Sequence, residues 1–161
     1  MPYNRAKAVA YAHRWAFGRN PAYGDFSKMG GDCTNFISQC IHAGGAAMNY
    51  TPNTGWYYNS LNSRAPAWTG VEFLYRFLLN NRGKGPYATK ASAGEMHPGD
   101  VVQLSFDGGN RFGHSLFVVK TGDPPKNSNI LIATHTFDSD NRRLDSWEDV
   151  VYRYLHIMGT R

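Results

Sequence analysis

The chain has 161 residues, 42% hydrophobic and 14% aromatic, with a net charge of +5 and a pI of about 9.3. That composition suits one well-packed domain over residues 1–161 and excludes a disordered chain. No apolar run approaches the roughly 18 residues of a membrane span. The 17 Lys and Arg are scattered, with only Arg142 and Arg143 adjacent, so neither a span nor nucleic-acid binding is expected.

The N-terminal Met-Pro-Tyr-Asn-Arg is polar and leads straight into helix, so no signal peptide is expected. Asn4 is a natural N-cap for a first helix over about 5–17, with Ala8, Tyr11, Ala12 and Trp15 as its buried stripe. Gly18 and Asn20-Pro21 end it, and residues 23–29 form a loop. There follows Gly30-Gly31-Asp32-Cys33-Thr34-Asn35-Phe36-Ile37-Ser38-Gln39-Cys40-Ile41, in which Cys33, Phe36, Ile37, Cys40 and Ile41 fall on one helical face. Asp32 offers an N-cap, Gly44-Gly45 a stop, and Thr34, Asn35, Ser38, Gln39 and His42 an opposite polar face.

Residues 45–68 read as irregular, with Trp56, Tyr57, Tyr58 and Trp68 either lining a groove or covering core under a long loop. Thr69-Gly70-Val71-Glu72 fits a capping box for a third helix over about 70–81. Residues 84–94 read as surface loop. From His97-Pro98-Gly99-Asp100 onward the pattern changes to strands at 101–106, 114–120, 129–136 and about 150–158, separated by turns at 107–110, 122–125 and 138–141. Helices first and hairpin-linked strands second predict an α+β fold with an antiparallel sheet.

Cys33 sits at the first turn of its helix, where unpaired N–H groups and the helix dipole favour a thiolate. A catalytic cysteine would be useful there, although Cys33 could equally be the first core position of its stripe. Cys33 and Cys40 are seven apart on one helix, about 10 Å between Cα atoms. That is beyond the reach of a disulfide. A cysteine nucleophile needs a histidine base and that base an orienting partner. His114 opens the apolar strand Ser115-Leu116-Phe117-Val118-Val119, and His135 lies on the strand predicted next to it, in a register the sequence does not give. His13, His42, His97 and His156 read as structural. The chain lacks H-E-x-x-H and C-x-x-C, so no metal and no cofactor are expected.

Gly31-Asp32-Cys33-Thr34-Asn35-Phe36-Ile37-Ser38-Gln39, then Pro98-Gly99-Asp100-Val101-Val102-Gln103, His114-Ser115 and His135-Thr136-x-Asp138 resemble the putative amidase domain family of bacterial and phage proteins. So does the opening Tyr3-Asn4-Arg5-x-Lys7-Ala8-Val9-x-Tyr11-Ala12. The family is similar in plan to the CHAP-type, papain-like cell-wall hydrolases. The resemblance implies a papain-like fold, with N-terminal helices packed on a C-terminal antiparallel sheet. It implies Cys33 as nucleophile, His114 as base and His135 as the residue orienting the His114 ring, with Asp138 a competitor for that place. The Cys33 N–H would form part of an oxyanion hole, with Tyr23 or Asp32 as the second donor on position alone and Trp56 as a substrate contact.

The implied function is cysteine-dependent cleavage of a peptidoglycan amide, either N-acetylmuramoyl-L-alanine or a bond of the stem peptide or cross-bridge. The protein would be a lysin or an antibacterial toxin, the latter implying an immunity partner. Action at the cell wall without a signal peptide would require release by lysis, a dedicated secretion route, or origin as an excised domain. The alternatives are a non-catalytic wall- or protein-binding domain using the aromatic loop, and a transglutaminase-like acyl transferase.

Overall fold

The computed structural model describes residues 2–161. Helix α1 spans Arg5–Trp15, and the Asn4 side chain caps it by accepting from the Lys7 N–H. Its fully buried residues are Ala8 and Ala12, small enough to let it lie closely on the next helix. That helix, α2, spans Cys33–Ala43 and is buried at every position from Cys33 to Ile41.

The expected polar face of α2 is therefore not a wet one. Thr34 Oγ1 meets Ser115 Oγ at 3.0 Å, and Asn35 donates to Gly24 O and accepts from Trp68 Nε1. Ser38 donates to Trp68 O and accepts from Trp56 Nε1, while Gln39 accepts from the Tyr11 hydroxyl. Buried polar groups are tolerated when they are bonded, and here each finds a partner. Of the two readings of the aromatic segment, the core-covering one holds for Trp56 and Trp68. Trp56 and Trp68 are fully buried, 4.7 Å apart, and fasten that segment to α2 instead of lining a groove.

A small hairpin, β1 (Tyr58–Ser60) with β2 (Ser63–Arg64), leads to a short α3 (Pro66–Thr69) and then α4 (Val71–Asn80). The expected capping box is absent. Gly70 is the N-cap, Thr69 Oγ1 accepts from Arg64, and Glu72 pairs with Arg153 at 3.0 Å.

Six strands follow: β3 (Pro86–Ala91), β4 (Val101–Ser105), β5 (Phe112–Lys120), β6 (Leu131–Thr134), β7 (Ser139–Arg143) and β8 (Val151–Thr160). They form one antiparallel sheet in the order β3-β8-β4-β5-β6-β7. The fold is α+β. Two edge strands differ from expectation: β3 lies where a loop was expected and β7 extends from an expected turn. Both carry polar, half-exposed residues, and β3 begins on a proline that an edge tolerates.

One sheet face packs against α1, α2 and α4 through Val101, Phe117, Ala133, Leu155 and Ile157. The other buries Val102, Leu104, Leu116, Val118 and Ile132 under connecting segments that carry Met96, Ile130, Leu144 and Trp147. Among the described residues no helix is long and apolar enough to cross a membrane.

The Pro98-Gly99-Asp100 turn ties the layers together. Asp100 is fully buried; its Oδ1 accepts from Arg5 Nη1 (2.8 Å) and Ile157 N, and its Oδ2 from His97 N and His156 Nδ1 (2.8 Å). Losing one partner of a buried ion pair strands the other. Asp100→Ala is expected to cost about 3 kcal/mol in urea unfolding at pH 7, against almost nothing for truncating the exposed Asp123.

Candidate active site

Two glycines with positive φ, Gly30 (+98°) and Gly31 (+113°), turn the chain into α2. Side chains rarely adopt that conformation, which explains the glycines. Asp32 is the N-cap by position, but its carboxylate turns inward, away from the helix N–H groups. Oδ1 accepts from Phe26 N (2.8 Å) and Asn35 Nδ2 (2.9 Å), and Oδ2 from His135 Nδ1 (2.5 Å). Cys33 follows, 7% exposed. Burial pushes its thiol up from the ordinary cysteine value and the Asp32 charge adds to that, outweighing the Ser115 N–H and the Thr34 hydroxyl and N–H, which act the other way. The thiolate expected from helix position is therefore not the resting form: desolvation of the charged sulfur wins.

His114, 6% exposed, stands at the start of β5 beside a bulge that skips Gly113 in the pairing with β4. Its ring lies 6.0 Å from Trp147 and 6.5 Å from Phe106, centroid to centroid. Burial, with a contribution from the Arg142 cation, lowers its pKa to about 4. His114 Nε2 is 3.4 Å from Thr134 Oγ1, which is also 2.9 Å from both Ser115 O and His135 O. With the threonine hydrogen on one of the closer carbonyls, its oxygen can accept from Nε2–H. This assigns the Nδ1 lone pair as the basic one.

Ser115 ties these elements together: its N–H helps to stabilise a charged Cys33 sulfur, and its C=O accepts from Thr134. His114, the residue before it, turns its ring towards Trp147 and Phe106, and among the described residues no hydrogen bond joins that ring to the Cys33 thiol. Thr34–Ser115 locks the helix start to the strand at the same point. The arrangement holds a neutral thiol, a neutral imidazole and a hydroxyl that fixes the tautomer.

His135 is placed differently from the expectation that it orients His114. Its Nδ1 bonds Asp32 and its Nε2 bonds the Trp15 carbonyl (2.8 Å), and the ring stacks on Phe36 with centroids 4.1 Å apart. Both ring nitrogens are spent on fastening α1 and β6 to the Cys33 turn. Asp138 is also engaged elsewhere, accepting from Arg19 Nη1 and Nη2 (3.0 and 3.1 Å), whose Nε lies 3.6 Å from Asp32. The His135-Thr136-x-Asp138 motif is thereby a clamp on the turn that leads into Cys33.

The remaining expected contacts also move. An ionised Asp32 carboxylate accepts three hydrogen bonds and has none to donate to an oxyanion. Tyr23 packs half-buried between Tyr58 and Trp68, at 5.2 and 6.0 Å, with no hydrogen bond to a site residue among the described residues. Trp56 is core. Thr134 was overlooked although it adjoins His135 and ends the strand expected beside His114. Among the described residues no group of three or more His, Cys, Asp or Glu could hold a metal ion.

The model of the family described as "Putative amidase domain" matches residues 2–157, a span that includes every residue of this site. An uncharacterized protein of Bacillus subtilis (strain 168), YhbB, is 38% identical over 165 residues, covering 97% of this chain and 50% of that protein. The chain spans about half the length of this curated relative. No solved structure matches.

Proposed function

The chain belongs to the Putative amidase domain family, and from that premise we propose that it is a cysteine amidohydrolase acting on peptidoglycan, with Cys33 as nucleophile and His114 as base. The observation that carries the reading is that Cys33 opens α2 and His114 stands near the start of β5, on elements joined at this point by the Thr34–Ser115 hydrogen bond. The papain-like plan is part of the proposal: a nucleophile at a helix N-terminus, packed on an antiparallel sheet that carries the base.

The chemistry starts from the neutral pair. His114 Nδ1 takes the thiol proton as Cys33 Sγ attacks the carbonyl carbon, so sulfur charge forms only as the S–C bond does. The oxyanion is met by N–H groups at the start of α2, which the helix itself leaves unused. His114, now protonated and held through Nε2 by Thr134, donates to the departing amine. Water activated by the same nitrogen then cleaves the thioester and restores the thiol.

Peptidoglycan is favoured by the basic chain, since a surface of net charge +5 suits an anionic wall. The place of action would be the wall itself. Mass analysis of muropeptides from purified walls tests the reading and identifies the bond: a new amine and a new carboxyl terminus are expected from one amide. Walls returned unchanged would contradict it, and transfer to an added amine in place of water would move the reading to acyl transfer.

A pH profile follows from the site. The dyad works with His114 neutral and Cys33 protonated. Activity is therefore lost as pH falls through about 4, where His114 takes up a proton, and as pH rises through the elevated Cys33 value. A flat kcat/KM between these limits is the expected result, where an acid limb near 6.5 would indicate an ordinary imidazole.

A further inference from the structure

Beside His114 lies a cation that the mechanism does not use. Arg142, on β7, lays its guanidinium on the Trp147 ring at 3.7 Å, and Trp147 packs on His114. The position follows from the sheet. Arg142 pairs with Ile132 on β6, and Ile132 with Val118 on β5, so all three share the sheet face to which His114 belongs. Trp147 then folds back from the turn after β7 to form the platform.

No acid neutralises this guanidinium among the described residues. Asp145, the nearest in sequence, is held by Arg143 Nε and Nη2 (2.9 and 2.7 Å), and Asp140 lies 2.9 Å from His13 Nδ1. Arg142 itself donates Nε–H to Ser146 Oγ (2.7 Å) and Nη1–H weakly to Ser139 Oγ (3.5 Å). Those bonds fix the plane of the fork and leave Nη2 free. Half-exposed Arg142 and Trp147, with Phe106, 57% exposed and 6.5 Å from the His114 ring, form a rim around His114. A planar, prefixed guanidinium on an aromatic platform suits a carboxylate, which Nη2 can bind through a charge-assisted hydrogen bond.

We propose that Arg142 and Trp147 form a carboxylate-binding subsite beside His114, selecting substrates that carry a free carboxylate close to the scissile amide. The inference rests on the catalytic reading for its location only. A bound carboxylate would also offset the Arg142 cation, which in the free protein works against protonation of His114. Substrate would thus raise the basicity of the group that must take the thiol proton.

The test uses two muropeptides differing only in whether one stem carboxylate is free or amidated. Affinity is measured by calorimetry in Cys33→Ala protein, so that binding is read whether or not the chain hydrolyses them. The free acid is expected to bind about tenfold more tightly, the size of a charge-assisted pair at a half-exposed site. Arg142→Gln should erase the difference, and Arg142→Lys should restore part of it. With Cys33 intact, Arg142→Gln should raise KM for the acid far more than for the amide and move the acid limb of kcat/KM upward, shifts that a merely structural role would not produce. Equal affinity for the two forms, no measurable binding of either, or a preference that survives Arg142→Gln would overturn the subsite. If the preference depends on Arg142 but the parent protein cuts neither form, the subsite stands and the hydrolase reading falls.

Discussion

Cys33→Ala is expected to reduce wall hydrolysis by about five powers of ten or more, to background, while Cys40→Ala keeps most of it. The two cysteines share one helix face but not one environment. Cys33 lies at the first turn, against the Ser115 N–H and one residue after the glycine–aspartate turn. Cys40 is two turns further in, fully buried among core side chains, and burial holds its thiol well above the ordinary value. A thiol there has no base and no access to substrate. Its loss should cost about 1 kcal/mol of packing, visible in unfolding and not in turnover. Turbidity clearance of purified walls by equal amounts of folded protein reads the contrast directly. Substantial clearance by Cys33→Ala would remove the cysteine mechanism.

His114→Ala is the second large effect, with an expected loss of three to five powers of ten in kcat and little change in KM. The neutral thiol makes the base indispensable, because no resting thiolate is available to attack without it. Thr134→Val keeps the shape and removes the hydroxyl, so His114 keeps its place but loses the partner that fixes its tautomer. About a tenfold to hundredfold loss in kcat is expected, with stability changed by only about 1 kcal/mol. His135→Ala should behave in the opposite way. It takes from the buried Asp32 carboxylate its partner at Oδ2 and from the Trp15 carbonyl one of its two donors, so about 3 kcal/mol of stability should go, with activity following the folded fraction. Urea unfolding alongside kcat separates the two. A stably folded His135→Ala protein as inactive as His114→Ala would return His135 to the chemistry.

The sequence was most informative where one period dominates. The α2 stripe, the Asn4 cap and the strands opened by Val101 and His114 are all legible because apolar residues repeat at helix or strand spacing. Edge strands escaped because β3 and β7 bury little and read as polar loop. The polar face of α2 misled for another reason. Asn35 and Ser38 look like surface residues until Trp68 and Trp56 are seen to bond them, and such long-range pairing leaves no trace in periodicity. In the site, residue type drew attention to His135 and Asp138, which are chemically conspicuous but serve as a clamp with Asp32 and Arg19. Thr134 was passed over because a hydroxyl is common, and its role depends on a β5–β6 register that the sequence does not contain. Arg142 stands out in the sequence only as half of the one adjacent basic pair, since its isolation from acids is a property of the folded chain.

The most direct test of the central claim is to quench turnover of muropeptide with acid and measure the intact protein and its tryptic peptides by mass spectrometry. An adduct with the mass of the acyl half of the substrate is expected, mapped to the peptide containing Cys33, absent from Cys33→Ala and unchanged in Cys40→Ala. Cleavage that proceeds at full rate in Cys33→Ala, with no adduct on the parent protein, would contradict it.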